Sequence, residues 1–376
     1  MKRESVFKLL TLALVGIVLL VGLEVVLRIV SPPSPFSPLV ALRPENRMEL
    51  HVNLRGVSPV AFHSTNRWGM RGPEPPRDWD ARHTIVTVGG STTQCFYLDD
   101  RKTWPYLLGE TLRDTYPDVW VGNGGLDGHT TRAHIIFMEA VVTRLRPKAV
   151  VVLVGANDLG FSISKELRQW GNPYDITDAG WHYRAFASSR LLQVLYIWKK
   201  ILVDRATVVK SAGHGNFVPT PIAPEQQHLE GKVLPSDLKL LLPALPEYRS
   251  NIRRIVQLAK ASNVRVLFLT QPTLFDDTEY WRRIEGTFYW IGDTRAKLSA
   301  ATQKKLLDIY NEELIETCKA ERAECFDLAP LVPHEERYFY DGFHLTELGA
   351  ELVAEQVAGY FRRTATSHHG RVSMGF

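Results

Sequence analysis

The run AVVVLV, six residues at 149–154, presents no polar side chain at any periodicity, so it has to be covered on every side. That is too short for a helix buried all round, and the β-branched content suits a strand sandwiched between two layers. VRVLFLT at 264–270 reads the same way, and TIVTV at 84–88 is a shorter version. Weaker strand signals fall at 119–121 and 325–328. Between these runs, helical spacing covers 104–116, 132–145, 245–262, 303–320 and 346–361, the last opening on a cap signal at Thr346. Strands that alternate with helices predict an α/β fold, a three-layer α/β/α sandwich around a parallel sheet of about five strands.

Ahead of this pattern lies MKRESVFKLLTLALVGIVLLVGLEVVLRIV, with an apolar stretch at 9–23 that continues past Glu24 to Val30. At a rise of about 1.5 Å per residue it spans the roughly 30 Å hydrocarbon layer. Glu24 and Arg28 share one helical face, where they can pair with each other. A cleavable signal peptide is the competing reading. The following LRIVSPPSPFSPL has no small-x-small cleavage site, so we read an uncleaved membrane anchor. Lys2, Arg3 and Lys8 before the span, against Arg28, Arg43 and Arg47 after it, bias the N-terminus toward the cytoplasm. The expectation is a single-pass membrane protein whose body lies outside the cytoplasm, in the periplasm or at the cell surface.

The resulting layout is an anchor at 1–30, a proline-rich spacer and lead-in at 31–80, a catalytic domain at 81–363 and a disordered tail at 364–376. Two segments interrupt the regular alternation, at about 161–243 and 275–295, and insertions there would overhang the strand ends. The first contains SSRLLQVLYIWKKIL at 188–202, either a core helix or a contact with the membrane; its Leu/Ile/Trp content favours the core. The chain of 376 residues carries a formal net charge of +4 with its charges interleaved, and without a basic block we expect no nucleic-acid partner. Cys318 and Cys325, in CKAERAEC, are close enough in sequence to bridge, or are two buried small hydrophobes; Cys95 is left over.

The chemistry-bearing residues sit at the strand ends, where open α/β sheets place their sites. TIVTVGGSTTQC stops its strand at Gly89-Gly90 and exposes Ser91 on a sharp turn, without the Gly-Lys of a phosphate loop or the closing glycine of a G-x-S-x-G elbow. The second strand leads into VGNGGLDGHTT, where Gly125 and Gly128 permit close backbone approach, and the third into GAND, where Asn157 offers an amide donor. Near the C-terminus YFYDGFHLTELG places Asp341 three residues before His344, a spacing that lets the carboxylate fix the imidazole tautomer, or that makes a local ion pair or half of a metal site. No metal site is expected, since His129 and His134 are five apart and the His368-His369 pair stands alone. Cys95, one turn beyond Ser91, reads as a packed thiol.

Taken together, the blocks GGST, NGGLDG, GAND and DGFH resemble, in order and approximate separation, those of the SGNH hydrolases, the GDSL-type esterases and lipases. The resemblance covers roughly 84–361 and departs from the family's Gly-Asp-Ser in carrying Gly90 before the serine. STNRWGMRGPE also looks like the segment preceding the catalytic domain in membrane-anchored bacterial members. The resemblance implies an SGNH, flavodoxin-like sheet and a triad of Ser91, His344 and Asp341, in which the serine attacks an ester carbonyl. It also implies an oxyanion hole from the Ser91 and Gly128 N–H groups and the Asn157 amide, with no cofactor. The expected activity is ester hydrolysis on acylated envelope glycans or lipids. An O-acyltransferase to a polysaccharide hydroxyl and a non-catalytic glycan-binding scaffold are the alternatives.

Overall fold

The computed structural model describes residues 3–30, 41–163, 189–192, 194–195, 198, 238–275, 288–291, 294–297 and 299–372. Five strands form one parallel sheet: β3 (Thr84–Gly89), β4 (Trp120–Asn123), β5 (Ala149–Leu153), β6 (Arg265–Leu269) and β9 (Glu324–Phe326), in the order β4-β3-β5-β6-β9. This is the doubly wound order whose strand sequence reverses beside β3, which opens a crevice at the carboxyl ends of β3 and β5.

The expected double burial is explicit in the alternation. Val86, Val88, Val150, Val152, Val266 and Phe268 pack on one face against α4 (Thr131–Phe137), α6 (Leu245–Ala261) and α7 (Ala300–Glu321). Ile85, Val121, Val151, Leu267 and Leu269 pack on the other against α3 (Trp104–Leu112) and α8 (Glu347–Val372). Each strand therefore supplies both cores by turns, which is why the runs carry no polar face. The helix expected at 132–145 is interrupted: after α4 a π-helical turn, Met138–Val142, buries Met138, Val141 and Val142 before Thr143–Leu145 resumes the helix. Cys318 and Cys325 are bridged, joining the end of α7 to β9, and Cys95 is a buried free thiol.

The lead-in is folded onto the domain. Strands β1 (Arg47–His51) and β2 (Val60–Ser64) pair antiparallel, and Arg71 then forms a backbone bridge with Asn123 at the end of β4. The tail expected to be disordered from 364 is helical as far as Val372. At its start the Thr364 hydroxyl bonds the carbonyls of Tyr360 and Phe361 and accepts from Arg265 Nη2 at 2.8 Å, which ties this turn of the helix to the sheet. Within the expected insertion at 275–295, Phe288–Ile291 (β7) and Thr294–Lys297 (β8) pair as an antiparallel ribbon. The spacer at 31–40, most of the insertion at 161–243, residues 276–287 and the side chains of His368 and His369 lie outside the described residues.

Helix α1 (Arg3–Val30) contains a stretch, Leu10–Val30, of mean hydropathy 2.7 with none of it buried. Among the described residues it is the one helix long and apolar enough to cross a membrane, and a signal sequence meets the same requirement. The patch at 188–202 departs from the expected core helix. Residues 190–192, 194–195 and 198 are helical, but Leu192, Leu195 and Trp198 are exposed at 42%, 55% and 61%.

Candidate active site

Strand β3 ends at Gly89, Gly90 caps the four-residue helix α2 (Ser91–Gln94), and Ser91 stands at its first position. His344 comes from the loop before α8, on the far side of the crevice. Ser91 Oγ and His344 Nε2 are 2.8 Å apart, and His344 Nδ1 is 2.6 Å from Asp341 Oδ2. With a carboxylate accepting at Nδ1, that nitrogen carries the proton, and Nε2 is left to accept from the serine hydroxyl. Asp341 Oδ1 accepts from the Phe343 and His344 N–H groups at 2.9 and 2.8 Å, so one carboxylate orients both the ring and the loop that bears it. Tyr340 stacks on the imidazole with centroids 5.5 Å apart.

Burial by itself would lower the His344 pKa, but the Asp341 charge and hydrogen bond outweigh it and hold the imidazole above its ordinary value. Burial likewise pushes the Asp341 carboxyl up, while the His344 charge and the side-chain and backbone hydrogen bonds bring it below the usual carboxylate value. The pair is therefore biased toward an ionised aspartate beside a readily protonated histidine.

Asn157, in α5 (Ala156–Ile163) just beyond β5, reaches across to the loop after β4, where Nδ2 donates to the His129 carbonyl at 2.9 Å. An amide nitrogen carries two hydrogens, so the second remains for an oxygen bound beside Ser91. The departure at Gly90 follows from this approach. A Cβ there would come within 2.3 Å of Asn157 Nδ2, so any larger residue at this position, the usual Asp included, would have to push that amide aside. Gly125 is similarly close to α2, a Cβ at that position falling 2.3 Å from the Gln94 nitrogen. Gly128 is half-buried with φ +73°; its neighbour His129, rather than Gly128 itself, lines the cavity beside Ser91. That cavity, of about 70 Å³, is bounded by Leu153, Val154, Asn157, Gln271, Phe343 and His344 among others.

Several residues that hold the site were not legible beforehand. Asp158, unassigned within GAND, accepts from the Thr131 nitrogen at 3.0 Å and from its hydroxyl at 2.6 Å. Adjacent side chains of one block thus staple the loop at 129–131. Burial pushes the Asp158 pKa up to about 7, the Thr131 hydrogen bonds opposing it. Arg71, from STNRWGMRGPE, is 1% exposed. Its guanidinium donates to the carbonyls of Gln94 (2.8 Å), Cys95 (2.5 Å) and Leu98 (2.8 Å) and to Asp100 (2.8 Å), closing the C-terminal end of α2 behind Ser91. Cys95, whose thiol burial pushes up to about 11, donates to the Thr92 carbonyl and packs behind the turn. His129 and His134 have ring centroids 6.2 Å apart, and burial lowers them to about 3 and about 4. Among the described residues no group of three His, Cys, Asp or Glu side chains could hold a metal.

Residues 87–352 match the GDSL-like Lipase/Acylhydrolase family. The chain belongs to that family. An arylesterase of Vibrio mimicus is 30% identical over 78 residues, 21% of this chain and 39% of the relative. The esterase TesA of Pseudomonas aeruginosa is 31% identical over 78 residues, with the same coverage of 21% and 39%. The chain thus spans about two fifths (39%) of the length of these curated relatives. Among solved structures, the acetyl xylan esterase AlAXEase aligns over 74% of this chain and 98% of its own, with a TM-score of 0.41 and 14% identity.

Proposed function

We propose that the protein is a membrane-anchored serine esterase that cleaves ester-linked acyl groups of envelope glycans or lipids. Ser91 attacks the carbonyl, His344 accepts its proton and returns it to the leaving alcohol, and Asp341 orients the imidazole and stabilises its charged form. The Ser91 N–H and the Asn157 amide, both on the cavity, hold the oxyanion, with the N–H expected of Gly128 coming from a residue just outside the cavity lining. Water, activated in turn by His344, then releases the acid from the acyl-enzyme. The observation that carries the reading is the unbroken hydrogen-bond chain from Asp341 through His344 to Ser91, with Asn157 on the same cavity.

The cavity of about 70 Å³ beside Ser91 favours a short acyl group, acetyl being the simplest. The Leu10–Val30 helix supports the anchor, and the Cys318–Cys325 disulfide supports an oxidising compartment. The test is p-nitrophenyl ester hydrolysis, from acetate to long-chain esters, by the full chain in detergent beside its Ser91→Ala variant. We expect turnover to favour acetate and to fall by about 10⁶ in the variant. Equal rates for the two proteins would remove the serine from the mechanism, and a preference for long chains would remove the short-acyl assignment.

A further inference from the structure

An ester has two arms, and the small cavity beside Ser91 has room for one of them. Its walls come largely from the residues after β5 and β6, Leu153, Val154, Asn157 and Gln271, on one side of β3. The alcohol arm is left to the opposite side, toward β4. There the Gln94 side-chain oxygen, at the end of α2, accepts from the Asp127 nitrogen at 2.8 Å and seats the loop after β4 against the Ser91 turn. Three residues beyond Gln94, Tyr97 is exposed at 44%. Its neighbours in the chain are fixed: Phe96 packs on the His63 ring at 5.0 Å, and the Leu98 carbonyl accepts from Arg71 at 2.8 Å. Tyr97 meets the buried Tyr340 ring edge-on at 6.3 Å, and Tyr340 stacks on His344. A line of rings thus runs from the His344 imidazole to an exposed phenol on an anchored backbone. Asp127 is also exposed, and among the described residues no donor or cation bonds its carboxylate. Its charge reaches the same histidine: burial lowers the His344 pKa, and Asp127 joins Asp341 in raising it.

We propose that Tyr97 and Asp127 form the subsite for the alcohol part of the ester, and that this part is an uncharged sugar ring. The inference rests on the proposed ester chemistry at Ser91 and narrows its substrate to an acylated glycan. A sugar presents a face of C–H groups that suits the negative face of an aromatic ring, and hydroxyls at its edge that donate to a carboxylate. Tyr97 and Asp127 supply one of each beside the attacked carbonyl. An anionic alcohol, such as a glycerophosphate, would bring its charge against Asp127. A cationic one would meet the imidazolium that forms as His344 takes the serine proton. Because Phe96 and Leu98 already hold the backbone of Tyr97, little freedom is lost when a ring settles on it.

The test measures acetate release by the full chain in detergent from four acetyl esters: methyl 6-O-acetylglucoside, ethyl acetate, acetylcholine and acetylglycerol phosphate. All four carry the same acyl group, so they differ only in the alcohol. The parent protein is expected to give its highest kcat/KM on the sugar ester and its lowest on the phosphate. Tyr97→Ala should reduce the preference for the sugar ester over ethyl acetate by about 10-fold, and Tyr97→Trp, which keeps an aromatic face, should retain it. Asp127→Asn should reduce the same preference at least about three-fold and improve the phosphate ester relative to ethyl acetate. Each readout is a ratio of two esters, so an effect of Asp127 on the imidazole itself cancels. A sugar preference that survives Tyr97→Ala, or one lost equally in Tyr97→Trp, would overturn the subsite while leaving the esterase standing. Faster turnover of acetylcholine or of the phosphate ester than of the sugar ester would overturn the sugar assignment. No release from any of the four would overturn the subsite and the short-acyl esterase together.

Discussion

The two halves of the site are held in different ways. Asp341 and His344 are organised within their own loop: Asp341 bonds the backbone of Phe343 and His344 as well as the imidazole, and the Thr273 hydroxyl and the Leu274 nitrogen add bonds to the Gly342 carbonyl. The Ser91 turn depends on distant side chains. Trp104 Nε1 donates to the Thr92 carbonyl, Asn123 Nδ2 to that of Thr93, and Arg71 to those of Gln94 and Cys95. A four-residue helix cannot satisfy its own last carbonyls, so α3, β4 and the lead-in do so. The proposed base is thus positioned mainly within its own loop and the proposed nucleophile mainly by distant side chains.

The largest effect should come from breaking the local half. Asp341→Asn keeps the shape but reverses the hydrogen-bond preference at Nδ1, and kcat is expected to fall by about 10⁴. The pH profile carries a second readout with a definite sign. Asp341 favours the protonated imidazole, so His344 is held above its ordinary value of 6.5, and a base that must be neutral loses activity as pH falls through that raised pKa. The acid limb of kcat/KM should therefore lie above 6.5 in the parent protein and move to lower pH in Asp341→Asn. An acid limb that stays in place would detach Asp341 from the titration.

Next in size is the proposed oxyanion donor. Asn157→Ala should lower kcat by about 10² to 10³ with little change in KM, because the lost bond matters most once charge has developed on the carbonyl oxygen. Gly90 sharpens the comparison, since it touches the same amide from the nucleophile side. Gly90→Asp restores the more usual Gly-Asp-Ser yet should cost about 10 to 10² in kcat by displacing Asn157. Gly90→Ala should do the same, which makes the Cβ rather than the charge responsible. In a double-mutant cycle, Gly90→Ala added to Asn157→Ala should cost almost nothing further, and additive losses would disprove the shared cause.

What could be read beforehand follows the same division. The all-apolar runs revealed the sheet because each strand feeds both cores, a requirement visible in five or six consecutive residues. The Asp341–His344 pairing could be read from a three-residue spacing, whereas Ser91 and Asn157, each by itself an ordinary turn residue after a strand, stood out through the resemblance of their blocks. Arg71 was not, since its acceptors lie 23 to 29 residues away and no local pattern marks a buried guanidinium. The exposure of Leu192, Leu195 and Trp198 was hidden for a similar reason, since Leu and Trp content suits a buried or an exposed position equally. The bond from Arg265 to Thr364, across 99 residues of sequence, was likewise outside any local pattern.

Arg71→Lys tests the global half with the smallest expected change in chemistry. Lysine keeps the positive charge beside Asp100 but cannot fork, so at most part of the set formed by the Gln94, Cys95 and Leu98 carbonyls and the Asp100 carboxylate can be retained. Leaving buried carbonyls without a donor costs about 1 to 3 kcal/mol each at worst, so a loss of that order in unfolding free energy is expected. The consequence for catalysis is indirect: if the end of α2 relaxes, Ser91 spends less time aligned with His344, and kcat should fall by up to about 10-fold while KM and the acid limb of the pH profile stay put. That separation distinguishes Arg71 from the charge pair, whose loss moves the limb. A variant with parental kcat and a lowered melting temperature would confine Arg71 to the scaffold, and one with an unchanged melting temperature would show that the carbonyls behind Ser91 do not need the fork.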